Sequence, residues 1–367
     1  MHLDKPIRIL QMTASLDFGG SQNMIVNLYK AIDKTKFQFD FILDHPNLLG
    51  LAPVVESMGA KIFYMPEFKG TNIKEVKDAW NKFFLEHPEY KILHSHSRSY
   101  ASIYLPIARK HGVKTIIHSH NTSNGSGLKA RIKDLMQYPL RYCADYYIGC
   151  SKEAGEWLFG RKIVNQKNFF VLNNAIDAKK FRYNQEIRRK YREMFNVEDK
   201  IVYLQVGAFR GQKNYLFTLD VINRLKELKK DIRVYLVGNG PDLNLIEEKI
   251  KELNLENYVE ILLDRKDVSE LLQMADCYIM PSVYEGLSVA AIEAQASGSI
   301  CLLSDKVNPE VKVSDVVSFL PLDIDTWVNN MNKEVFEKKD TYDDIVKAGF
   351  NIEDTAKWLE NFYERML

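Results

Sequence analysis

Residues 276–298 read DCYIMPSVYEGLSVAAIEAQASG. Cys277–Met280 is an apolar block suited to a strand buried on both faces; Pro281 and Ser282 end it, and Tyr284-Glu285-Gly286 reads as a turn. A run of small apolar residues from about Ser288 to Ser297 then has the composition of a close-packed helix, stopped by Gly298. A strand that turns directly into a helix is the building block of a parallel sheet covered on both faces. Glu285 stands in the turn and Glu293 follows it eight residues later, among alanines and Ile292. The helix start leaves backbone N–H groups at Gly286 and Leu287 pointing outward, where a phosphate can bind, and Glu293 then lies within reach of vicinal hydroxyls. The competing reading is a solvent-facing glutamate on an ordinary helix.

Working outward, the same alternation fills the chain. IRILQM, FQFDFIL, KIFYM, YKILHSH and KTIIHSH are strand-like, with helices expected from about Gln22 and Tyr100. After a basic connecting stretch, DAKKFRYNQEIRRKYREMF, the pattern restarts with IVYLQVG, RVYLVGNGP, YVEILLD, DCYIMPS and SICLLSD. A chain of 367 residues exceeds one ordinary core, so the expected fold is α/β, with two Rossmann-like, doubly wound parallel-sheet domains and a cleft between them. The boundaries expected are residues 1–180, residues 181–350 and a final helix, 351–367, packing back on the first domain through Ile352, Ala356, Leu359 and Phe362 or Tyr363.

Composition removes several classes. With 46% hydrophobic and 27% charged residues and no apolar run near 18 residues, the chain is not expected to span a membrane. Its first residues lack a signal-peptide pattern, which points to the cytoplasm. Cys143, Cys150, Cys277 and Cys301 show no C-x-x-C spacing and read as buried apolar residues. The net charge of +1 hides a division: residues 1–184 carry 26 basic and 16 acidic residues, and residues 185–367 carry 24 and 33. A basic first half suits an anionic partner such as a membrane surface. Nucleic acid is not expected, because neither a zinc-finger spacing nor an RNP-like motif is present.

VGNGPDL lacks the third glycine of the dinucleotide fingerprint, and no P-loop motif occurs. DFGGSQNM places Gly19 and Gly20 before a helix, either as a tight turn or as a phosphate approach. In VGAFRGQKN, Gly207 ends a strand and Arg210 and Lys213 follow, two cations able to clamp a diphosphate. Two HSH units put His94 with His96 and His118 with His120 on single strand faces; metal binding, hydrogen bonding and direct substrate contact by His120 are the three readings. Asp323 and Asp325 in LDIDTW resemble a metal-binding D-x-D but suit a helix start better.

Taken together, FGGSQNMIVNLYKAI, HSHNTS, CSKEAGEWLFG, NNAIDAKKFRYN, VGAFRGQKNYLF, LVGNGP and PSVYEGLSVAAIEAQASG resemble glycosyltransferase family 4, retaining enzymes of GT-B fold, in a form similar to those that build bacterial exopolysaccharide and capsule. The resemblance implies that Glu293 binds the nucleotide ribose, Glu285 the donor sugar, and Gly286 with Leu287 the diphosphate, with Gly207 and Ser288 in the same donor-binding set. Lys213 matches the family's diphosphate cation, Gly19 and Gly20 its glycines in the first domain, and His120 its histidine near the reacting sugar. Ala208 follows Gly207 where the family commonly has arginine, so Arg210 is the expected substitute. Ser288 replaces the usual proline, Asp264 replaces a common glycine, and neighbouring Arg265 joins the donor-binding set. The implied donor is a nucleotide-diphosphate sugar, with UDP-sugar foremost, and no cofactor or metal is expected. The implied acceptor is a polyprenyl-diphosphate-linked or other saccharide, met in the cytoplasm or at the inner face of the membrane. Lys129, Arg131, Lys133 and Arg141, mixed with Leu128, Leu135, Met136, Tyr138 and Leu140, form either a lipid-facing segment or a solvated basic face. The rival functions are a non-catalytic nucleotide-sugar-binding scaffold and a nucleotide-sugar epimerase of the same fold.

Overall fold

The apolar blocks become strands in a computed structural model that describes residues 5–17, 20–45, 50–120, 127–228, 231–333 and 336–367, with the backbone alone for 128–130 and 132. Among the described residues they assemble two all-parallel sheets. The first holds β1 (Ile7–Thr13), β2 (Phe37–Leu43), β3 (Ile62–Tyr64), β4 (Ile92–Ser95), β5 (Lys114–Ser119), β6 (Tyr146–Gly149) and β7 (Phe169–Val171), in the order β3-β2-β1-β4-β5-β6-β7. The second holds β8 (Ile201–Val206), β9 (Ile232–Gly238), β10 (Val259–Leu263), β11 (Cys277–Met280), β12 (Ile300–Ser304) and β13 (Val317–Leu320), in the order β10-β9-β8-β11-β12-β13. Each sheet reverses its direction of growth once, between β1 and β4 and between β8 and β11. Crossovers on either side of such a reversal leave opposite faces of the sheet, so the C-terminal strand ends part there and open a crevice.

Burial on both faces explains why these strands are continuously apolar, and β2 is buried throughout. Its one charge, Asp40, is matched inside: Arg8 pairs with it, Tyr90 Oη donates at 2.7 Å and Lys61 N–H at 2.6 Å. That set meets the requirement that a buried carboxylate be paired and hydrogen-bonded. All four cysteines are buried thiols. Asp323 caps the helix Ile324–Met331 by accepting from Thr326 N–H at 2.9 Å, the helix-start role its sequence suited.

The chain divides into unit 1, Met1–Ala175 with Ile352–Leu367, and unit 2, Ile176–Asn351. The division falls upstream of residue 180 because Ile176, Ala178 and Phe181 are core residues of unit 2. The closing helix, Ile352–Glu364, buries Ile352, Ala356, Leu359, Phe362 and Tyr363 against β1, β2 and the helix Gly20–Ala31 of unit 1.

The basic stretch after Ala175 differs from a plain connector. It forms the helices Ala178–Phe181 and Gln185–Met194, the latter begun by Asn184, whose side chain accepts from Glu186 and Ile187 N–H. The helix Gln185–Met194 has no buried residue and is held mainly by its arginines. Arg188 pairs with Asp276 and donates to the carbonyls of Gln273, Met274 and Ala275 at 2.8–3.2 Å; Arg192 meets Asp276 at 3.1 Å and the carbonyls of Val197, Glu198 and Lys200. Asp276 also accepts from Val202 N–H at 2.7 Å, at the start of β8. Those cations were legible as charge and not as fasteners. Asp276→Ala would strand two arginines and a strand N–H, and urea unfolding is expected to show a loss of about 3–5 kcal/mol.

Candidate functional site

In unit 2 the reversal between β8 and β11 brings together two loops. The first, after Val206, contains Gly207, exposed Arg210 and a single 3-10 turn, Gly211–Lys213. The second, after Met280, contains Glu285, Gly286 and Leu287 and runs into the helix Val289–Ala296, with Ser288 at its N-cap.

Polar contacts stitch the two loops. Val283 N–H donates to Gln212 O at 2.9 Å, Gln212 Nε2 to Tyr284 O at 3.1 Å, and Asn214 Nδ2 to Pro281 O at 3.1 Å. Asn214 takes the left-handed conformation (φ 57°) that turns the chain into the helix Tyr215–Leu228, a conformation asparagine tolerates better than most residues. Gln205, buried inside β8, donates to Lys213 O at 2.8 Å and accepts from Thr218 Oγ1 at 2.7 Å, fixing the turn from below. A Cβ on Gly207 would lie 3.2 Å from the Lys213 stem, so glycine there lets that side chain lie along the strand end. Gly238 is glycine for the same kind of reason: a Cβ would come within 1.9 Å of Gly207 O.

This frame places the Lys213 ammonium against the Glu285 carboxylate as a close, largely sheltered ion pair. Glu285 is anchored in turn by an isolated parallel bridge to Val307, and Asn308 N–H donates to its carbonyl at 3.0 Å. The N–H groups of Gly286 and Leu287 have no acceptor among the described residues.

Glu293, about one turn into the helix, has no hydrogen-bond donor among the described residues. Burial pushes its carboxyl up from 4.5 to about 7, opposed by Lys180. A sheltered carboxyl without a donor is an unfilled acceptor, and a vicinal diol supplies two hydroxyl donors. Tyr278 Oη and Ser282 Oγ, buried on and just beyond β11, are likewise without partners among the described residues.

Gly207, Arg210, Lys213, Glu285, Gly286, Leu287, Ser288 and Glu293 thus share one strand-end region. Arg265 differs. It follows β10 at the far edge of the sheet and is taken up by Asp267, at 2.8 Å through Nε, with its guanidinium 5.8 Å from the Phe195 ring. Sequence reading passed over Gln205, Gln212 and Asn214. A glutamine inside an otherwise apolar strand was the available signal for the first; the other two act through backbone contacts that no spacing announces.

In unit 1, Gly20 is the first, exposed residue of the helix Gly20–Ala31, and Gly19 lies outside the described residues. His120 follows β5, and its Nε2 lies 2.8 Å from His96 Nδ1. Burial pushes its pKa down to about 4, so the ring is neutral near pH 7. The two HSH pairs interleave into one stack, with ring centroids 4.3 Å apart for His94–His96 and 4.1 Å for His118–His120. His94, His96 and His118 bring one nitrogen each within 4.8 Å of one another.

Two doubly wound units, one with a cation–carboxylate pair and an open helix start at its switch point, fit the GT-B fold that the resemblance implied. Residues 18–180 match Glycosyltransferase Family 4 and residues 187–349 match Glycosyl transferases group 1, and the chain belongs to these glycosyltransferases. The protein named glycosyltransferase EpsF in Bacillus subtilis (strain 168) is 31% identical over 313 residues, covering 83% of this chain and 80% of that one. An Escherichia coli UDP-Gal:alpha-D-GlcNAc-diphosphoundecaprenol alpha-1,3-galactosyltransferase is 24% identical over 80% of this chain and 81% of its own. Anabaena Alr3699/HepE, solved in complex with UDP, shares the fold with a TM-score of 0.73 at 13% identity, over 97% of this chain and 94% of that one.

The raised Glu293 pKa sets a pH dependence. Below about pH 4.5 the carboxyl is protonated in both folded and unfolded chains, and the folded state carries no penalty. As pH rises toward 7 the unfolded chain ionises first, and stability is lost across that window. Glu293→Gln is therefore expected to stabilise the ligand-free protein at pH 8, by up to about 3 kcal/mol, and to change little at pH 4; calorimetric melting at the two pH values checks it.

Proposed function

We propose that the protein transfers a sugar, with retention of anomeric configuration, from a UDP-sugar to a saccharide carried on polyprenyl diphosphate, in the synthesis of a bacterial surface polysaccharide. The observation that carries this reading is the single strand-end region joining Lys213, Glu285, the open N–H groups of Gly286 and Leu287, and the unfilled acceptor Glu293. Together they offer a cationic cradle for a diphosphate with a diol acceptor about two helical turns away, the spacing of a nucleoside diphosphate's two polar ends. The UDP bound to Alr3699/HepE supports uridine as the base, and the diphosphoundecaprenol substrate of the Escherichia coli relative supports the acceptor class.

In the reaction, the bond between the anomeric carbon and the diphosphate oxygen breaks, and the acceptor hydroxyl oxygen bonds to that carbon on the same face. The acceptor proton passes to the departing phosphate. Negative charge grows on the diphosphate, so Lys213, exposed Arg210 and the N-terminus of the helix Val289–Ala296 supply the stabilisation, without a metal. Glu285 orients Lys213 before the donor arrives and then contacts the sugar. His120 positions the sugar as a neutral imidazole.

Acceptor lipids bring the reaction to a membrane surface. No helix among the described residues is long and apolar enough to cross a membrane. Unit 1 instead exposes Leu135, Met136, Tyr138 and Tyr142 beside Arg131, Lys133 and Arg141, on the helix Leu128–Gln137 and the turn after it. Leu140, counted with this face in the sequence, is instead fully buried in the core of unit 1. The side chains of Leu128 and Lys129 lie outside the described residues. We assign this face to contact with anionic lipid, apolar side chains entering the interface and cations meeting headgroups.

A thermal-shift panel of UDP, GDP, ADP and their sugars tests the donor. UDP at 100-fold its Kd is expected to stabilise the protein by about 2.7 kcal/mol, and Glu293→Ala to abolish the shift. A chain unmoved by every nucleotide would refute the donor site. For the membrane face, co-sedimentation with phosphatidylglycerol vesicles is expected to fall when Lys129, Arg131, Lys133 and Arg141 become Gln; unchanged binding would remove that assignment.

A further inference from the structure

The four stacked histidines of unit 1 belong to a longer hydrogen-bonded chain whose sense can be worked out. A neutral imidazole has one N–H and one bare nitrogen, so each link decides the next. Gln11, on β1, presents its carbonyl Oε1 to His96 Nε2 at 2.9 Å; a carbonyl only accepts, so His96 carries its proton on Nε2. His96 Nδ1 is then bare and accepts from His120 Nε2–H at 2.8 Å. At its other end Gln11 Nε2 donates to Tyr363 Oη at 3.2 Å, which leaves the phenol proton for His94 Nδ1 at 2.8 Å. His94 is therefore also protonated on Nε2, which faces His118 Nδ1 at 3.3 Å. The chain ends on His118 Nε2, buried and without a partner among the described residues.

Burial pushes all four pKa values down, so the rings stay neutral and the one-donor, one-acceptor rule holds at every link. Metal ligation by His94, His96 and His118 is disfavoured. Their facing nitrogens are used in N–H···N bonds, and no carboxylate or thiolate joins the group among the described residues to offset a cation's charge. Gln11 comes from one strand, the histidines from two others and Tyr363 from the last helix of the chain, so the sense of the chain depends on how all of unit 1 is assembled.

We propose that Gln11 and His96 are positioning residues that fix which ring nitrogen of His120 carries the proton, holding it as the Nε2–H tautomer. A histidine locked in this way meets its ligand with one set polarity, whereas a free imidazole adjusts to either. The tautomer stands on the geometry of unit 1 alone. Its catalytic consequence rests on the reading of His120 as a contact to the donor sugar.

The test is nitrogen NMR on the full chain labelled at histidine. Wild type is expected to show a protonated Nε2 and a bare Nδ1 for His94, His96, His118 and His120. Gln11→Met, close to isosteric, is expected to shift His96 and His120 into mixed tautomers. Tyr363→Phe keeps the packed ring, and is expected to mix His94 and His118 while leaving His96 and His120 unchanged. In turnover of UDP-sugar, Gln11→Met is expected to lose kcat at unchanged donor KM. A folded Gln11→Met protein with wild-type His96 and His120 tautomers would overturn the proposal. So would stoichiometric zinc in the purified wild type by mass spectrometry, since ligation would consume the bare nitrogens. The predicted tautomer pattern without any UDP-sugar turnover would uphold the relay and remove the donor-sugar role from His120.

Discussion

The candidate site of this chain depends on how a parallel sheet must be connected. Each strand has to return to the same edge through a helix lying on one face, and a sheet that grows both ways from its first strand has to change faces once. At that change the loops have no crossover above them. Unit 2 uses the position between β8 and β11 for Lys213, Glu285 and the start of the helix Val289–Ala296. Unit 1 uses the positions around β1 and β4 for Gln11 and His96, with His120 one strand further along.

Sheltered polar groups are handled in two ways in this chain. Around Asp40 and Asp276 the charges are fully matched by arginines and N–H groups, and these clusters hold strands and helices in place. At the unit 2 strand ends the matching is incomplete: Glu293 has no donor, Gly286 and Leu287 no acceptor, and the Tyr278 and Ser282 hydroxyls no partner among the described residues. Unmatched groups cost stability, and here several of them lie together at one strand-end region. Lys213 and Glu285 are the intermediate case, a matched ion pair at the same strand ends.

Much of this was legible in order along the chain. Apolar blocks, strand-to-helix turns and the eight-residue separation of Glu285 and Glu293 follow from local composition, because a doubly buried strand must be apolar and a packed helix small. The buried stripe of the last helix was equally plain, since a 3.6-residue period survives whatever the helix packs on. How the connecting stretch is fastened was not legible: Ile187, Arg188, Tyr191, Arg192 and Phe195 recur at helical spacing and are half-buried, but that two of them act as fasteners follows only from the carbonyls and Asp276 that receive Arg188 and Arg192. Arg265 shows the reverse: a cation beside a strand end reads as available until Asp267 is seen to hold it. Leu140 was legible as apolar and not as buried, for its face depends on the turn after Gln137.

The sequence by itself determined the class of fold, the two-unit division to within a few residues and the identity of the groups at the strand ends. These are properties of short segments, each carrying its own period and its own turn residues. Only the tertiary structure decided which polar groups are satisfied and which are not. That distinction separates Asp276 from Glu293 and turns two separate histidine pairs into one directed chain. The physical reason is range: burial and hydrogen bonding are settled by neighbours distant in sequence, as Tyr363 is from Gln11, and no local pattern records where those neighbours will lie.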